Sequence, residues 1–157
     1  MAKFPTEVSD SVVVPVPLAA AYAFFWDVVG SARCIPGLDR CEASGGDVYR
    51  FVYEERSTGP VSMCIQYTAR YTGNGTDEIR FEGTGGPGDN TDVTGVIRLA
   101  SVDADHTRVT LTQTLAPDTP VPRLLQGLIK SFVQGEAAKA VGEYLANVTR
   151  ALGAARG

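Results

Sequence analysis

Three polar side chains stand at positions where the sequence pattern predicts apolar ones. Glu136 lies four residues after Phe132, on the apolar face of a predicted helix. Gln113 and Glu55 each alternate in step with the apolar residues of a predicted strand. A carboxylate in such surroundings must be paired or functional, because an unpaired buried charge is costly. With a raised pKa, Glu136 or Glu55 could be the catalytic general base, whereas a cationic or amide partner such as Gln113 would make Glu136 structural.

Aromatic and aliphatic side chains around these positions predict an apolar pocket. A tyrosine suits such a pocket because it presents an apolar ring and a polar tip. Gly127, Gly135 and Gly142 interrupt the predicted helix at a cost of about 1 kcal/mol each, so either the pocket needs the space or the cost is tolerated. The candidate ligand-binding residues are Tyr22, Trp26, Phe51, Tyr53, Met63, Ile65, Tyr67, Phe81, Gln113, Leu128, Phe132 and Gly135.

Two other features of the sequence do not indicate a phosphate-binding, metal or catalytic site. The run Gly83–Gly88 matches G-x-G-x-x-G by letter, but Pro87 lies inside it and a strand pattern follows it. We interpret it as a glycine-rich loop, and a flexible lid is one role it could have, because a phosphate site needs a helix N-terminus there. His106 is the only histidine and lies in an acidic turn, so it cannot build a His-based metal site or an acyl-transfer triad. We expect neither a metal nor a cofactor.

Composition limits the partners and the compartment. The chain has 157 residues, of which 44% are hydrophobic and 20% charged, and we expect one domain over residues 1–157. A net charge of -4 and the absence of a basic run exclude nucleic acid as a partner. Three cysteines without a C-x-x-C motif favour a reducing cytoplasm. The uncharged stretch 11–26 is too short to span a bilayer and contains Pro15 and Pro17, so no integral membrane segment is predicted.

The first part of the chain predicts one strand and two short helices. Residues 6–16 are rich in β-branched residues and predict the strand. A helix is predicted over 18–28, and Gly30 is expected to stop it. The serine of the segment 31–34 can cap a second short turn, which Pro36-Gly37 ends.

The middle of the chain predicts strands, and the end predicts one long helix. Alternating patterns indicate strands over 49–56, 61–71, 79–81, 92–101 and 107–115, with turn signals at Gly59-Pro60, Gly73-Asn74-Gly75 and 103–106. The helix is predicted from Thr119, its N-cap, to Leu152, with Gly153 just past its end. Its apolar stripe must be buried against the concave face of the sheet, which is a geometry that can form a cavity.

This order of elements resembles the helix-grip fold of the START-like or Bet v 1-like (SRPBCC) superfamily. The segments 14–17, 25–27 and 32–37, the last containing Cys-Ile-Pro-Gly, resemble the opening of its CoxG-like branch, which is associated with carbon monoxide dehydrogenase. The resemblance implies an α+β fold. It consists of an antiparallel seven-stranded curved sheet wrapped around a long C-terminal helix, with two short helices after the first strand.

The resemblance also implies three alternative functions. We favour binding of a small hydrophobic or aromatic molecule in a cavity between the sheet and the last helix. The second is a metal-free polyketide cyclase or dehydratase of lyase or isomerase type, with Glu136 or Glu55 as base and Tyr53 or Tyr67 polarising a carbonyl. The third is a maturation or docking factor for carbon monoxide dehydrogenase. A protein partner or a homodimer is left open.

Overall fold

The computed structural model describes residues 2–3, 5–58, 61–119 and 123–156. Its strands are β1 (Ala2–Lys3), β2 (Thr6–Val14), β3 (Leu38–Gly45), β4 (Val48–Tyr53), β5 (Arg56–Thr58), β6 (Val61–Met63), β7 (Gln66–Gly73), β8 (Glu78–Gly83), β9 (Thr91–Asp103) and β10 (His106–Thr119). Its helices are α1 (Leu18–Trp26), α2 (Val28–Ser31) and α3 (Gln126–Arg156), with 3-10 turns at Ala32–Cys34 and Arg123–Leu125.

The strands pair antiparallel in one main sheet and one small ribbon. The main sheet has the order β2-β10-β9-β8-β7-β4-β3, and β1 pairs with β10 beyond the end of β2. The ribbon consists of β5 and β6 alone. The long helix α3 buries an apolar stripe against the sheet, with Ile129, Val133, Val141, Leu145 and Val148 all buried. The predicted helix-grip architecture, with seven long strands around one long helix and two short helices after the first of them, is confirmed.

Alternation along the strands decides which side chains face α3. Val93 and Ile97 of β9 are buried on the inner face of the sheet, as the period of two predicts. Gly95 lies between them, opposite Phe81 of β8. A Cβ at Gly95 would overlap the Phe81 ring, so the glycine is what allows that ring to lie over the sheet.

Gly30 does not stop the first helix. Helix α1 ends at Trp26, and α2 follows Asp27, whose carboxylate accepts a hydrogen bond from the N–H of Gly30 at 3.2 Å. A Cβ at position 30 would overlap this carboxylate, so the glycine permits a helix cap. The following 3-10 turn ends at Cys34, before the predicted Pro36-Gly37, and Gly37 directly precedes β3 with a φ of +74° that favours glycine.

The predicted ends of the long helix are wrong. Thr119 is the last residue of β10, where it pairs with Ala2, so it ends a strand and does not cap the helix. The helix begins at Gln126 and runs for 31 residues to Arg156. Gly153 therefore lies inside it, and the helix does not end there.

The sequence patterns did not predict strand β3. Most side chains of Leu38–Gly45 are exposed, so no apolar alternation marks this strand. The hairpin at Gly73-Asn74-Gly75 is confirmed between β7 and β8, as is the turn between β9 and β10. Gly59-Pro60 lies outside the described residues.

Candidate ligand-binding cavity

A cavity of about 180 Å³ lies between α3 and the inner face of the sheet. Strands, the segment that follows the first 3-10 turn, and one face of α3 all contribute to its wall. The lining residues are Ile35, Pro36, Gly37, Tyr53, Glu54, Arg56, Ile65, Tyr67, Tyr71, Phe81, Ile97, Leu111, Gln113, Leu115, Pro117, Phe132, Val133, Glu136, Ala137, Ala140, Val141 and Tyr144.

The structure brings together seven of the predicted site residues. They come from strands β4, β7, β8 and β10, from the segment between β6 and β7, and from α3, and they are Tyr53, Ile65, Tyr67, Phe81, Gln113, Phe132 and Glu136. The strand periodicity found Tyr53, Tyr67 and Gln113 because each alternates with outward-facing neighbours. The helical periodicity found Phe132 and Glu136, which lie one turn apart.

Three predicted aromatic residues lie outside the cavity wall. Tyr22 and Trp26 of α1 pack over Gly73, and the Tyr22 hydroxyl accepts a hydrogen bond from the N–H of Gly75 at 2.8 Å. Phe51 is fully buried and stacks on Tyr67, with ring centroids 4.9 Å apart. Phe51 therefore belongs to the core that supports Tyr67. The side chain of Met63, another predicted residue, is outside the described part of the structure.

Glu55 and Leu128 were predicted to face the cavity and do not. Strand β4 ends at Tyr53, so the alternation that placed Glu55 inward stops before reaching it; Glu55 is exposed and Glu54 lines the cavity. Leu128 is 63% exposed because Ile129, one residue and about 100° further around the helix, faces the core instead.

Gly135 lies on the exposed side of α3, where an added Cβ would meet no atom within 4 Å. The prediction that this glycine makes room for a ligand is therefore wrong. Replacing Gly135 with alanine should raise the free energy of unfolding by about 1 kcal/mol, because alanine favours the helix. Chemical denaturation of the two proteins measures this change. A destabilised Gly135→Ala variant would contradict the exposed position.

Sequence reasoning missed several residues of the cavity wall. Tyr71 continues the inward alternation of Tyr67 along β7, and Tyr144 lies one helical turn after Ala140. The strand and helix periodicities could therefore have assigned both tyrosines to the cavity. Arg56 and Glu54 follow the end of β4, and no local pattern assigns them to the cavity.

Four tyrosines contribute hydroxyl groups to the cavity wall. The hydroxyl oxygens of Tyr53 and Tyr67 lie 3.2 Å apart and share a hydrogen bond. Burial raises the pKa of Tyr53, although its bond to Tyr67 acts in the opposite direction. Burial also holds the pKa values of Tyr67 and Tyr71 well above the ordinary value and raises that of Tyr144. These side chains are therefore neutral hydrogen-bonding groups at physiological pH.

The raised tyrosine pKa values predict a loss of stability at alkaline pH. Above the ordinary tyrosine pKa of 10.0, the unfolded chain releases these protons before the folded protein does. The free energy of unfolding should therefore be fully retained below about pH 10 and decline as the pH rises further. In an alkaline titration, tyrosinate absorbance from these residues should appear together with unfolding. Their ionisation near the ordinary pKa in a protein that stays folded would contradict this expectation.

Arg56 and Glu136 form an ion pair at the edge of the cavity. Nη2 of Arg56 lies 2.8 Å from Oε2 of Glu136, and the two side chains are 57% and 37% exposed. The pair connects the β5-β6 ribbon to α3. Glu136 thus has a cationic partner, but the partner is Arg56 and not Gln113. An ion pair this exposed contributes only about 0–1 kcal/mol to stability.

The glycine-rich loop 83–88 is fixed to the sheet by Asp89. Its Oδ2 accepts hydrogen bonds from the N–H groups of Thr68 at 2.9 Å and Gly86 at 2.6 Å. Its Oδ1 accepts from the Thr68 hydroxyl at 3.2 Å and from Arg50 at 3.4 Å. Thr68 is adjacent to the inward-facing Tyr67 and so points to the opposite face of the sheet. The loop is therefore an anchored structural element, and the prediction of a flexible lid is wrong.

The cysteines and the histidine lie outside the cavity wall. Cys34, Cys41 and Cys64 are free thiols. Burial, together with the charge of Glu42, raises the pKa of Cys41 to about 11, which disfavours the nucleophilic thiolate. His106 lies in the turn between β9 and β10 and pairs with Asp103. In the part of the chain that the structure describes, no group of three or more His, Cys, Asp or Glu side chains could hold a metal ion.

Solved structures with this architecture come from several bacteria. A protein from Thermus thermophilus is 20% identical, with a TM-score of 0.69 over 96% of this chain and 99% of that one. The Zhui aromatase/cyclase from Streptomyces sp. R1128 is 16% identical, with a TM-score of 0.70 over 94% and 93%. A START superfamily protein from Mycobacterium smegmatis is 16% identical, with a TM-score of 0.62 over 93% and 98%. At these identities the likeness establishes a shared fold.

A curved antiparallel sheet closed over one long helix, with an apolar cavity between them, defines a START-like (SRPBCC) protein. Residues 5–152 match the family model described as polyketide cyclase / dehydrase and lipid transport, and the chain belongs to this family. Comparison with curated proteins finds no significant match. Among the described residues, none of the helices has the length and hydropathy required to cross a membrane.

Proposed function

We propose that this protein binds one small, largely apolar aromatic molecule in the cavity between α3 and the sheet. The observation that carries this proposal is the cavity itself, whose wall is formed by aliphatic and aromatic side chains with a few polar groups. Binding sites for small molecules have this composition.

The size of the cavity supports a ligand with about one aromatic ring. Its volume is about 180 Å³. An engineered apolar cavity of about 150 Å³ is large enough to bind benzene. Because the volume is close to that needed for one ring, we favour a single-ring compound.

Displacement of an environment-sensitive dye tests the proposal. The dye should bind saturably, and small aromatic compounds should displace it. Phe132→Ala should weaken dye binding, because the Phe132 ring forms part of the wall, whereas Leu128→Ala on the exposed side of the same helix should not. Linear dye uptake that neither variant changes would indicate surface adsorption and contradict the proposal.

A cyclase or dehydratase is the second candidate, and the family match and the position of Glu136 favour it. In this alternative the Glu136 carboxylate acts as the base at the cavity edge, and Tyr53 or Tyr67 polarises a carbonyl. Glu136→Gln should then lower turnover of an identified substrate by roughly 10²- to 10⁴-fold while the fold and ligand affinity are kept. An unchanged rate would remove Glu136 from the mechanism and leave binding as the function.

A role in carbon monoxide dehydrogenase maturation remains the proposal that the CoxG-like resemblance implies. Gene neighbourhood distinguishes it from the cyclase alternative. Carbon monoxide dehydrogenase genes beside this gene would support maturation, and polyketide synthase genes would support cyclisation.

A further inference from the structure

The hydroxyl pair of Tyr53 and Tyr67 has one proton more than its own hydrogen bond uses. Each hydroxyl carries one proton and two acceptor lone pairs. With the oxygens 3.2 Å apart, one proton lies in the bond between them. Within the described residues, neither hydroxyl has another hydrogen-bond partner. The pair therefore has one O–H donor available in the wall of an apolar cavity, and a buried donor without a partner is costly.

The same pair is positioned rigidly. The Tyr67 ring is buried and stacks on Phe51, while the Tyr53 ring lies 6.0 Å from the Tyr67 ring between centroids. The pair is formed between β4 and β7, which are neighbours in the sheet. A donor held by packed rings on adjacent strands can select a ligand by where its acceptor atom lies.

The charges of the cavity wall disfavour an anionic ligand. Glu54, Arg56 and Glu136 are the charged residues among those that line the cavity. Arg56 is already paired with Glu136 at 2.8 Å. The remaining charge is the Glu54 carboxylate, so an anion would lose its hydration without gaining an unpaired cation.

We infer that the ligand is a neutral aromatic compound with a carbonyl oxygen, of the aryl ketone or aldehyde class, and that this oxygen accepts a hydrogen bond from the Tyr53–Tyr67 pair. The inference rests on the proposed function. It adds that the polar group of the ligand is an acceptor and that the hydroxyl pair is the group that recognises it.

Calorimetric titration with three single-ring probes of similar size tests the inference. Acetophenone has the carbonyl acceptor, ethylbenzene lacks it, and benzoate replaces it with an anion. The wild-type protein should bind acetophenone about three- to tenfold more tightly than ethylbenzene, as one net hydrogen bond provides, and should bind benzoate least well.

Phenylalanine variants assign the preference to the pair. Tyr53→Phe and Tyr67→Phe should each retain most of the preference for acetophenone, because the remaining hydroxyl can donate its own proton to the ligand. The double variant should bind acetophenone and ethylbenzene equally. Tyr49→Phe is the matched control outside the cavity wall and should behave as the wild-type protein does.

Tyr71 provides the critical comparison. It lines the cavity on the same face of β7, and among the described residues its hydroxyl has no hydrogen-bond partner either. A preference that survives in the double variant and is lost in Tyr71→Phe would overturn the assignment to the pair. Equal binding of acetophenone and ethylbenzene by the wild-type protein would overturn the inference and leave the proposed function standing. Failure of all three probes to bind would contradict the proposed function itself.

Discussion

Ala140→Phe should abolish binding of small aromatic ligands without unfolding the protein. Ala140 lies on the face of α3 that lines the cavity, so a phenyl ring there occupies the space proposed for the ligand. Affinity should fall by at least about tenfold. Burial of the new ring in the open cavity would stabilise the fold, whereas over-packing would cost about 1–3 kcal/mol. Because the cavity has room for a ring, we expect an unchanged or higher melting temperature.

Ala138→Phe is the matched control for this prediction. It makes the same substitution two residues away on the exposed side of α3. Ligand affinity, measured by calorimetry, should equal that of the wild-type protein. If Ala138→Phe weakened binding as much as Ala140→Phe, the binding site would not be the cavity.

Asp89→Ala should cause the largest loss of stability. The Asp89 side chain is 8% exposed and accepts hydrogen bonds from Thr68, Gly86 and Arg50. Its removal leaves two backbone N–H groups and the Thr68 hydroxyl without their acceptor, which should cost about 2–4 kcal/mol. Arg50 loses its carboxylate partner but keeps its hydrogen bonds to Pro87 and Gln66. The free energy of unfolding from urea denaturation measures the effect.

Two further variants distinguish the loss of the Asp89 hydrogen bonds from a general effect of losing a carboxylate. Asp39→Ala removes an exposed carboxylate of β3 and should change stability by less than about 0.5 kcal/mol. Asp89→Asn should fall between the wild-type protein and Asp89→Ala, because one oxygen remains to accept. A fully stable Asp89→Ala variant would show that the loop is held by other contacts.

Periodicity predicted the parts of the site that lie on regular elements. Tyr53, Tyr67 and Gln113 face the cavity because a strand alternates its side chains, and Phe132 and Glu136 do so because they are one helical turn apart. These positions depend only on the local periodicity of a strand or a helix. The spacing of apolar residues in the sequence shows that periodicity directly.

The errors arose where an element ends or where partners are distant in sequence. Glu55 was misplaced because β4 ends at Tyr53, and Thr119 was misread because pairing with Ala2 extends β10. The anchoring role of Asp89 depends on Arg50 and Thr68, which belong to strands more than twenty residues earlier. Such contacts are made only when the sheet assembles, and no local pattern contains them.

Gly135 shows a different limit. A glycine inside a helix indicates that alanine was not selected there. It does not indicate whether the glycine faces the cavity or the solvent. The structure places it on the outer side, where no neighbouring atom accounts for it. The inner side obtains its space from Ala137 and Ala140, which no rule of helix propensity distinguishes from other alanines.

Intermolecular nuclear Overhauser effects from bound acetophenone test the central claim most directly. The ligand should show effects to Ile97 and Leu111 of the sheet and, in the same complex, to Ala140 of α3, because these residues line one cavity from opposite sides. Effects confined to the exposed Leu124 and Leu128, with none to the sheet, would place the ligand on the surface and contradict the account.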